Sequence, residues 1–208
     1  MKRQDDVWKS LKALYQMQAD LLQGKELEEK RQGAFGQPVF GEGNWKRPKL
    51  MLIGEAPGAE ETQQKKPFVG KAGRQLDELL QQAGIERNEI FITNVVKYRP
   101  YISRNGSLRN RTPDKEEVLF ALPLLKQELL LVQPQLVATL GNVPLNALLA
   151  LAGEQPSTIG KMHGKKRDCY IAGRVIAFYP LYHPASTIYN PALRDTCKED
   201  IMGLANLL

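Results

Sequence analysis

Leu50-Met-Leu-Ile-Gly-Glu-Ala-Pro-Gly58 is a short apolar run that breaks into a turn of glycine and proline carrying one carboxylate. Glu60, Glu61, Pro67 and Phe68 follow closely. Alternating α/β proteins build active sites in this way, at the carboxyl end of a strand where backbone amides and side chains converge. Two later segments have the same form, Ile92-Thr-Asn-Val-Val-Lys97 and Tyr179-Pro-Leu-Tyr-His-Pro-Ala185. Three strand ends that present Glu55, Asn94 and His183 point to one site gathered from distant parts of the chain.

Outward from these turns, strand patterns alternate with helix patterns. Residues 4–32 read as an amphipathic helix with Val7, Leu11, Leu14, Leu21 and Leu22 near helical spacing, and 33–48 as a loop rich in glycine and proline. Strands are expected at 50–53, 90–96 and 136–140. Helices are expected at 70–83, capped by Gly84, at about 112–131, at 141–151 and at 191–208. Thr112-Pro113-Asp114 reads as the start of its helix, with a capping hydroxyl, proline at the first position and acids in the first turn. Residues 98–111 read as a basic loop with Arg99, Arg104, Arg109 and Arg111, and 171–178 as a hairpin-like pair. Such alternation implies a mainly parallel sheet covered on both faces, with its cleft beyond the carboxyl ends of the strands.

The chain's 208 residues suffice for one domain with its own core, an N-terminal helical segment at 1–32 and a core at 48–205. No apolar run approaches the roughly 18–20 residues that span a bilayer, and the N-terminus has no apolar signal core. Cys169 and Cys197 are the only cysteines and have no metal-ligand spacing, which fits a reducing, cytoplasmic setting. The net charge of +6 favours polyanionic partners, because Lys and Arg release counterions from phosphates.

Each turn has a plain structural reading: a solvated Glu55, an Asn94 bonding its own backbone, a His183 satisfied by a carbonyl. Together they also make a pocket that reads and excises a planar heterocycle. Asn offers a donor and an acceptor to the edge of a pyrimidine, and an aromatic such as Phe68 stacks on the ring. An imidazole stabilises charge on a leaving group, and Glu55 or Glu61 orients water or stabilises a cationic sugar. An enzyme of this kind rotates its nucleotide out of the helix.

The chain resembles the uracil-DNA glycosylase superfamily, most closely its family 4, over roughly residues 48–205. The resemblance rests on Gly54-Glu-Ala-Pro-Gly-Ala-Glu-Glu61, Pro67-Phe-Val-Gly-Lys-Ala-Gly73, Thr93-Asn-Val-Val-Lys97 with Arg99-Pro100, and Tyr182-His-Pro-Ala185. It implies a three-layer α/β/α fold around a mainly parallel four-stranded sheet. By the same resemblance Glu55 handles water and the sugar cation, and His183 stabilises the departing uracil anion at its O2. Phe68 stacks on uracil, Asn94 reads its edge, Gly54, Ala56, Pro57 and Gly58 shape the turn around it, and Glu61 is a second acid. DNA contacts are expected from Lys97, Arg99, His163, Ser186, Thr187, Ile188 and Tyr189, with Ile188 the wedge that fills the vacated stack.

The sequence departs from the family pattern in three places. Family 4 members hold a four-iron, four-sulfur cluster on four cysteines; here the N-terminal segment has no Cys, Tyr98 follows Lys97, and Ala121 occupies the helix position. No cluster and no other cofactor is expected, with Tyr98, Phe120 and the N-terminal helix filling the gap. A subfamily that traps DNA covalently carries a histidine where Asn110 stands, and Gln where Glu55 stands, so turnover is expected here. Tyr189 stands where relatives often carry Arg. The expected activity is monofunctional hydrolysis of deoxyuridine in DNA by a monomer. A non-catalytic damage-binding protein, a glycosylase for another deaminated base and a small nucleoside hydrolase are the alternatives.

Overall fold

The computed structural model describes residues 2–22, 38–104 and 106–208. In chain order, Lys2–Leu22 is α1, Glu42–Gly43 β1, Leu50–Gly54 β2, Ala59–Gln64 α2 and Lys71–Gln82 α3. Phe91–Asn94 is β3, and Tyr101–Arg104 and Ser107–Asn110 are β4 and β5. Lys115–Val132 (α4), Leu136–Leu140 (β6), Asn142–Leu151 (α5) and Ile159–Met162 (α6) lead to Arg167–Ile171 (β7) and Arg174–Leu181 (β8). Ser186–Tyr189 (α7) and Leu193–Ala205 (α8) complete the order.

The main sheet runs β1-β3-β2-β6-β8-β7. Its four inner strands are parallel, as expected, but antiparallel β1 and β7 extend it to six. β1, two exposed residues, lacked a legible apolar pattern, whereas β7 and β8 form the hairpin expected at 171–178, extended back to Arg167 along a strand that buries only Cys169 and Ile171. The inner strands β2, β3 and β6 are buried along their whole length because each face is covered. Met51 and Ile53 face the core shared with α1, α4 and α5, while Leu50 and Leu52 face Leu76 and Leu80 of α3 and Ile201 and Leu204 of α8.

The helix expected at 4–32 is formed over Lys2–Leu22; the side chains of Leu21 and Leu22, and residues 23–37, lie outside the described set. Leu11 and Tyr15 of α1 are buried on the sheet, with the Tyr15 ring 4.3 Å from Phe40 and Trp8 stacked on Trp45 at 5.6 Å. Burying each such side chain stabilises the fold by about 1.5–3 kcal/mol. Tyr98 and Ala121 are enclosed in this same core.

Two local expectations are corrected. Asp114, not Thr112, caps α4: its carboxylate accepts from the Glu117 amide at 2.8 Å while the Glu117 carboxylate accepts from the Asp114 amide at 2.8 Å. Arg111 then grips Glu117 through both nitrogens, at 2.6 and 2.8 Å. The basic loop at 98–111 is largely the β4–β5 hairpin, with Tyr101 opposite Asn110 and Gly106 at φ +74° in its turn. Nearly every residue of this hairpin is exposed, so no buried face marked it in the sequence.

Candidate active site at the carboxyl edge of the sheet

Register brings the three turns to one edge. Gly54 pairs with Asn94 across β2 and β3, and Leu140 with Leu181 across β6 and β8. The Val95 and Val96 amides donate to the carbonyls of Gly54 and Glu55, at 2.9 and 3.1 Å. Gly141, at φ +96°, donates to the Leu181 carbonyl; a Cβ there would lie 3.3 Å from Cβ of His183.

Beyond this edge opens a cleft of 360 Å³ lined by Ala56, Gly58, Glu61, Phe68, Asn94 and His183, with Ile188 and Tyr189 at its rim. The Phe68 and His183 rings are 6.2 Å apart and inclined at 32°. Gly54 lies where Asn94 and Phe68 meet, since any Cβ on it would collide with Asn94 Oδ1 and the edge of the Phe68 ring. Only glycine lets the amide and the ring close on that floor. Pro57 is buried in the same turn and does not line the cleft.

The titratable groups differ in their surroundings. Burial depresses His183 to about 4, so the ring is neutral near pH 7. Its Nδ1 faces the Ala185 amide at 3.2 Å and must accept, which leaves the proton on Nε2. Glu55 does not line the cleft; burial raises its carboxyl, opposed by a hydrogen bond from the side chain of Thr112. Glu61 is held quite differently. Its Oε1 accepts from the Val69 and Gly70 amides at 3.0 and 2.7 Å, and its Oε2 from the Gly58 amide at 3.1 Å. With three backbone donors on it, this carboxylate ties the two loops of the cleft together.

Of the residues expected on DNA, Lys97 is in the wrong place. It is enclosed, and its ammonium donates to Glu128 at 2.5 Å, to Thr93 Oγ1 at 2.6 Å and to the Asn94 carbonyl at 2.5 Å. Glu128 also accepts from the Tyr15 hydroxyl at 2.6 Å. Lys97 follows two buried valines into the core and cannot reach a phosphate. Arg99 is half-buried and braces the hairpin, donating to Asn110 Oδ1 at 2.6 Å and to the Leu108 carbonyl at 3.3 Å. His163 lies outside the cleft, its Nδ1 2.8 Å from Asp200 and its ring 4.7 Å from Tyr182. Ser186, Thr187, Ile188 and Tyr189 form α7, and Ile188 and Tyr189 are 49 and 87% exposed, two apolar side chains standing in water beside the cleft.

Sequence reasoning gave Lys71 no role and took Asn110 only as the replacement of a trapping histidine; both line the cleft. Asn110 arrives at the end of a hairpin that no pattern announced. The four-thiolate cluster implied by the family resemblance does not fit these residues. The chain holds two cysteines, Cys169 and Cys197, each buried in a different layer. Burial pushes both thiols up to about 11, away from the thiolate a cluster binds. Among the described residues no three His, Cys, Asp or Glu are grouped to hold a metal, and no helix is long and apolar enough to cross a membrane.

Residues 40–203 match the model of the uracil DNA glycosylase superfamily. The chain is 40% identical over 163 residues to a type-4 uracil-DNA glycosylase of Pyrobaculum aerophilum, covering 78% of this chain and 79% of that one. To type-4 uracil-DNA glycosylases of Saccharolobus solfataricus and Sulfurisphaera tokodaii it is 39 and 36% identical, over 82 and 81% of this chain and 76 and 74% of theirs.

Proposed function

We infer from the uracil DNA glycosylase superfamily, to which this chain belongs, that it is a DNA-repair enzyme that hydrolyses the N-glycosidic bond of deoxyuridine and leaves an abasic site. The observation that carries the reading is the convergence of the Phe68 ring, the Asn94 amide and a neutral, tautomerically defined His183 on one cleft at the sheet edge.

Uracil rotated out of the duplex stacks on Phe68 while the Asn94 amide, with one donor and one acceptor function, reads its edge. As the glycosidic bond breaks, the electron pair passes to the base and negative charge gathers on uracil O2. His183 donates its Nε2 proton in a hydrogen bond to that oxygen. A neutral imidazole suits this role because it needs no proton from solvent and stays a donor throughout. Glu55, next to cleft-lining Ala56 but not itself on the lining, is the carboxylate we assign to the cationic sugar and to the proton of the attacking water, a role that requires it to turn toward the cleft when DNA binds. Burial raises its affinity for protons, the direction that suits a general base better than a fully solvated carboxylate. Lys71 at the cleft is exposed, without the burial that turns a lysine amine into a nucleophile, so the reaction ends at the abasic site. Ile188, and beside it Tyr189, would fill the stack the base has left, offsetting an unstacking cost of a few kcal/mol. The enzyme acts as a monomer, in the cytoplasm where the DNA lies, and its own residues supply the chemistry.

The test is a labelled duplex with a single uracil, incubated with the protein and then treated with alkali. Cleavage at the uracil, and none at thymine or cytosine in the same position, is expected. An intact strand would overturn the reading, and cleavage at hypoxanthine or xanthine alone would move it to another base.

A further inference from the structure

We propose that Arg87, in the 3-10 turn Arg87–Glu89 outside the cleft, is a positioning residue that holds Phe68 in the one backbone conformation from which its ring covers the base. The proposal rests on the glycosylase reading of the cleft and adds to it a residue no motif includes.

Phe68 has φ +53°, in the left-handed region that an aromatic residue occupies only when its surroundings over-determine it. Those surroundings are specific. The Arg87 guanidinium donates through Nη2 to the carbonyls of Pro67 and Phe68, at 2.9 and 3.1 Å, and through Nη1 to Asp77 of α3. The next two amides, Val69 and Gly70, are held by Glu61. The bend is thus gripped on its carbonyls by a cation and on its amides by an anion. Gly73 completes the fit, because any Cβ there would sit on the Phe68 carbonyl.

Arg87 does not line the cleft. It lines a neighbouring hollow of 520 Å³ whose walls also include Pro67, Phe68 and Val69. It therefore reaches the site only through Phe68. A planar guanidinium is suited to this: one nitrogen spans two adjacent carbonyls while another is anchored on a carboxylate, a geometry an ammonium cannot reproduce. Without the fork, the peptide relaxes to negative φ and the ring leaves its place above the base.

A double-mutant cycle tests this. Arg87→Met should lower single-turnover uracil release by about tenfold or more in the wild-type background, and by no more than about twofold in the Phe68→Ala background. Arg87→Lys should recover only part of the loss. A purely structural arginine would cost the same in both backgrounds, and that result, or no loss in the first, would overturn the proposal. Should Arg87→Met fail to fold, Asp77→Asn, which removes the anchor alone, is read in the same cycle. The wild-type protein in the same assay separates the two ideas: inactivity there would count against the glycosylase reading. A crystal structure of Arg87→Met judges the clamp independently of any reaction. Phe68 should have left positive φ; finding it unchanged would also overturn the proposal.

Discussion

Charge is handled in opposite ways on the two sides of Asn94. Toward the cleft, Glu55 and His183 are shifted chiefly by burial, neither with an opposite charge to compensate. Toward the core, Lys97 and Glu128 neutralise each other, and Thr93, Tyr15 and the Asn94 carbonyl satisfy their remaining hydrogen bonds. Burial still lowers the Lys97 ammonium, but Glu128 opposes it. Perturbed and uncompensated groups are poised for chemistry; buried and fully partnered ones hold three elements together. Because the Lys97 ammonium also bonds the Asn94 carbonyl, the inner network is the seat of the outer site.

The widest gap between the two regions should appear in stability. Lys97→Met leaves Glu128 buried without its cation and should cost about 3–5 kcal/mol in urea unfolding, while Lys97→Met with Glu128→Leu should recover most of it. An equal loss in the double variant would mean that the pair is not what holds α1, α4 and β3 together. On the cleft side the loss should fall on turnover. His183→Ala should reduce single-turnover excision by ~10²–10³-fold with DNA affinity, read by anisotropy, little changed. Parallel losses in both would place His183 in binding.

Acidity sharpens the contrast further. Neutral His183 persists down to about 4, so if Glu55 is the base proposed above, the acid limb of the excision rate should follow its carboxyl, which burial raises from the ordinary value. Activity should fall as pH drops through that limb; Glu55→Gln should abolish the limb and His183→Asn leave it in place. Stability carries the signature of His183. The unfolded histidine takes up a proton near 6.5 and the folded one only near 4, so stability falls as pH decreases across that window. His183→Asn should flatten this part of a urea-midpoint profile. The smallest effect is expected at the hairpin. Arg99→Gln frees Asn110 from its brace and should change excision by about two- to fivefold, roughly 0.5–1 kcal/mol, the worth of one exposed hydrogen bond.

The inner strands and the edge at which the site forms were legible because they depend on local pattern. Residues 50–53 are an unbroken apolar run and 136–140 one interrupted only by Thr139, a pattern that suits a doubly covered strand. The glycine and proline after β2 end it where they must. The β4–β5 hairpin and edge strand β1 escaped because exposed strands carry no buried face to read, while the expected pair at 171–178 caught β8 and only the end of β7. Lys97 misled for a related reason: a lysine beside a basic loop looks like a phosphate ligand until its partner appears thirty-one positions later in the chain. Glu55 and Glu61, alike on paper, differ because one meets a hydroxyl and the other three backbone amides.

Composition, strand runs and turn chemistry were thus enough to specify a sheet, the edge that carries the cleft, and three residues that line it, Phe68, Asn94 and His183. How Glu55 and Glu61 differ, where Lys97 points and how Arg87 grips the backbone of Phe68 came from the folded chain alone. Periodicity and glycine act over a few residues and are written locally. Burial and charge pairing depend on neighbours far along the chain, which meet only when the sheet and its helices close.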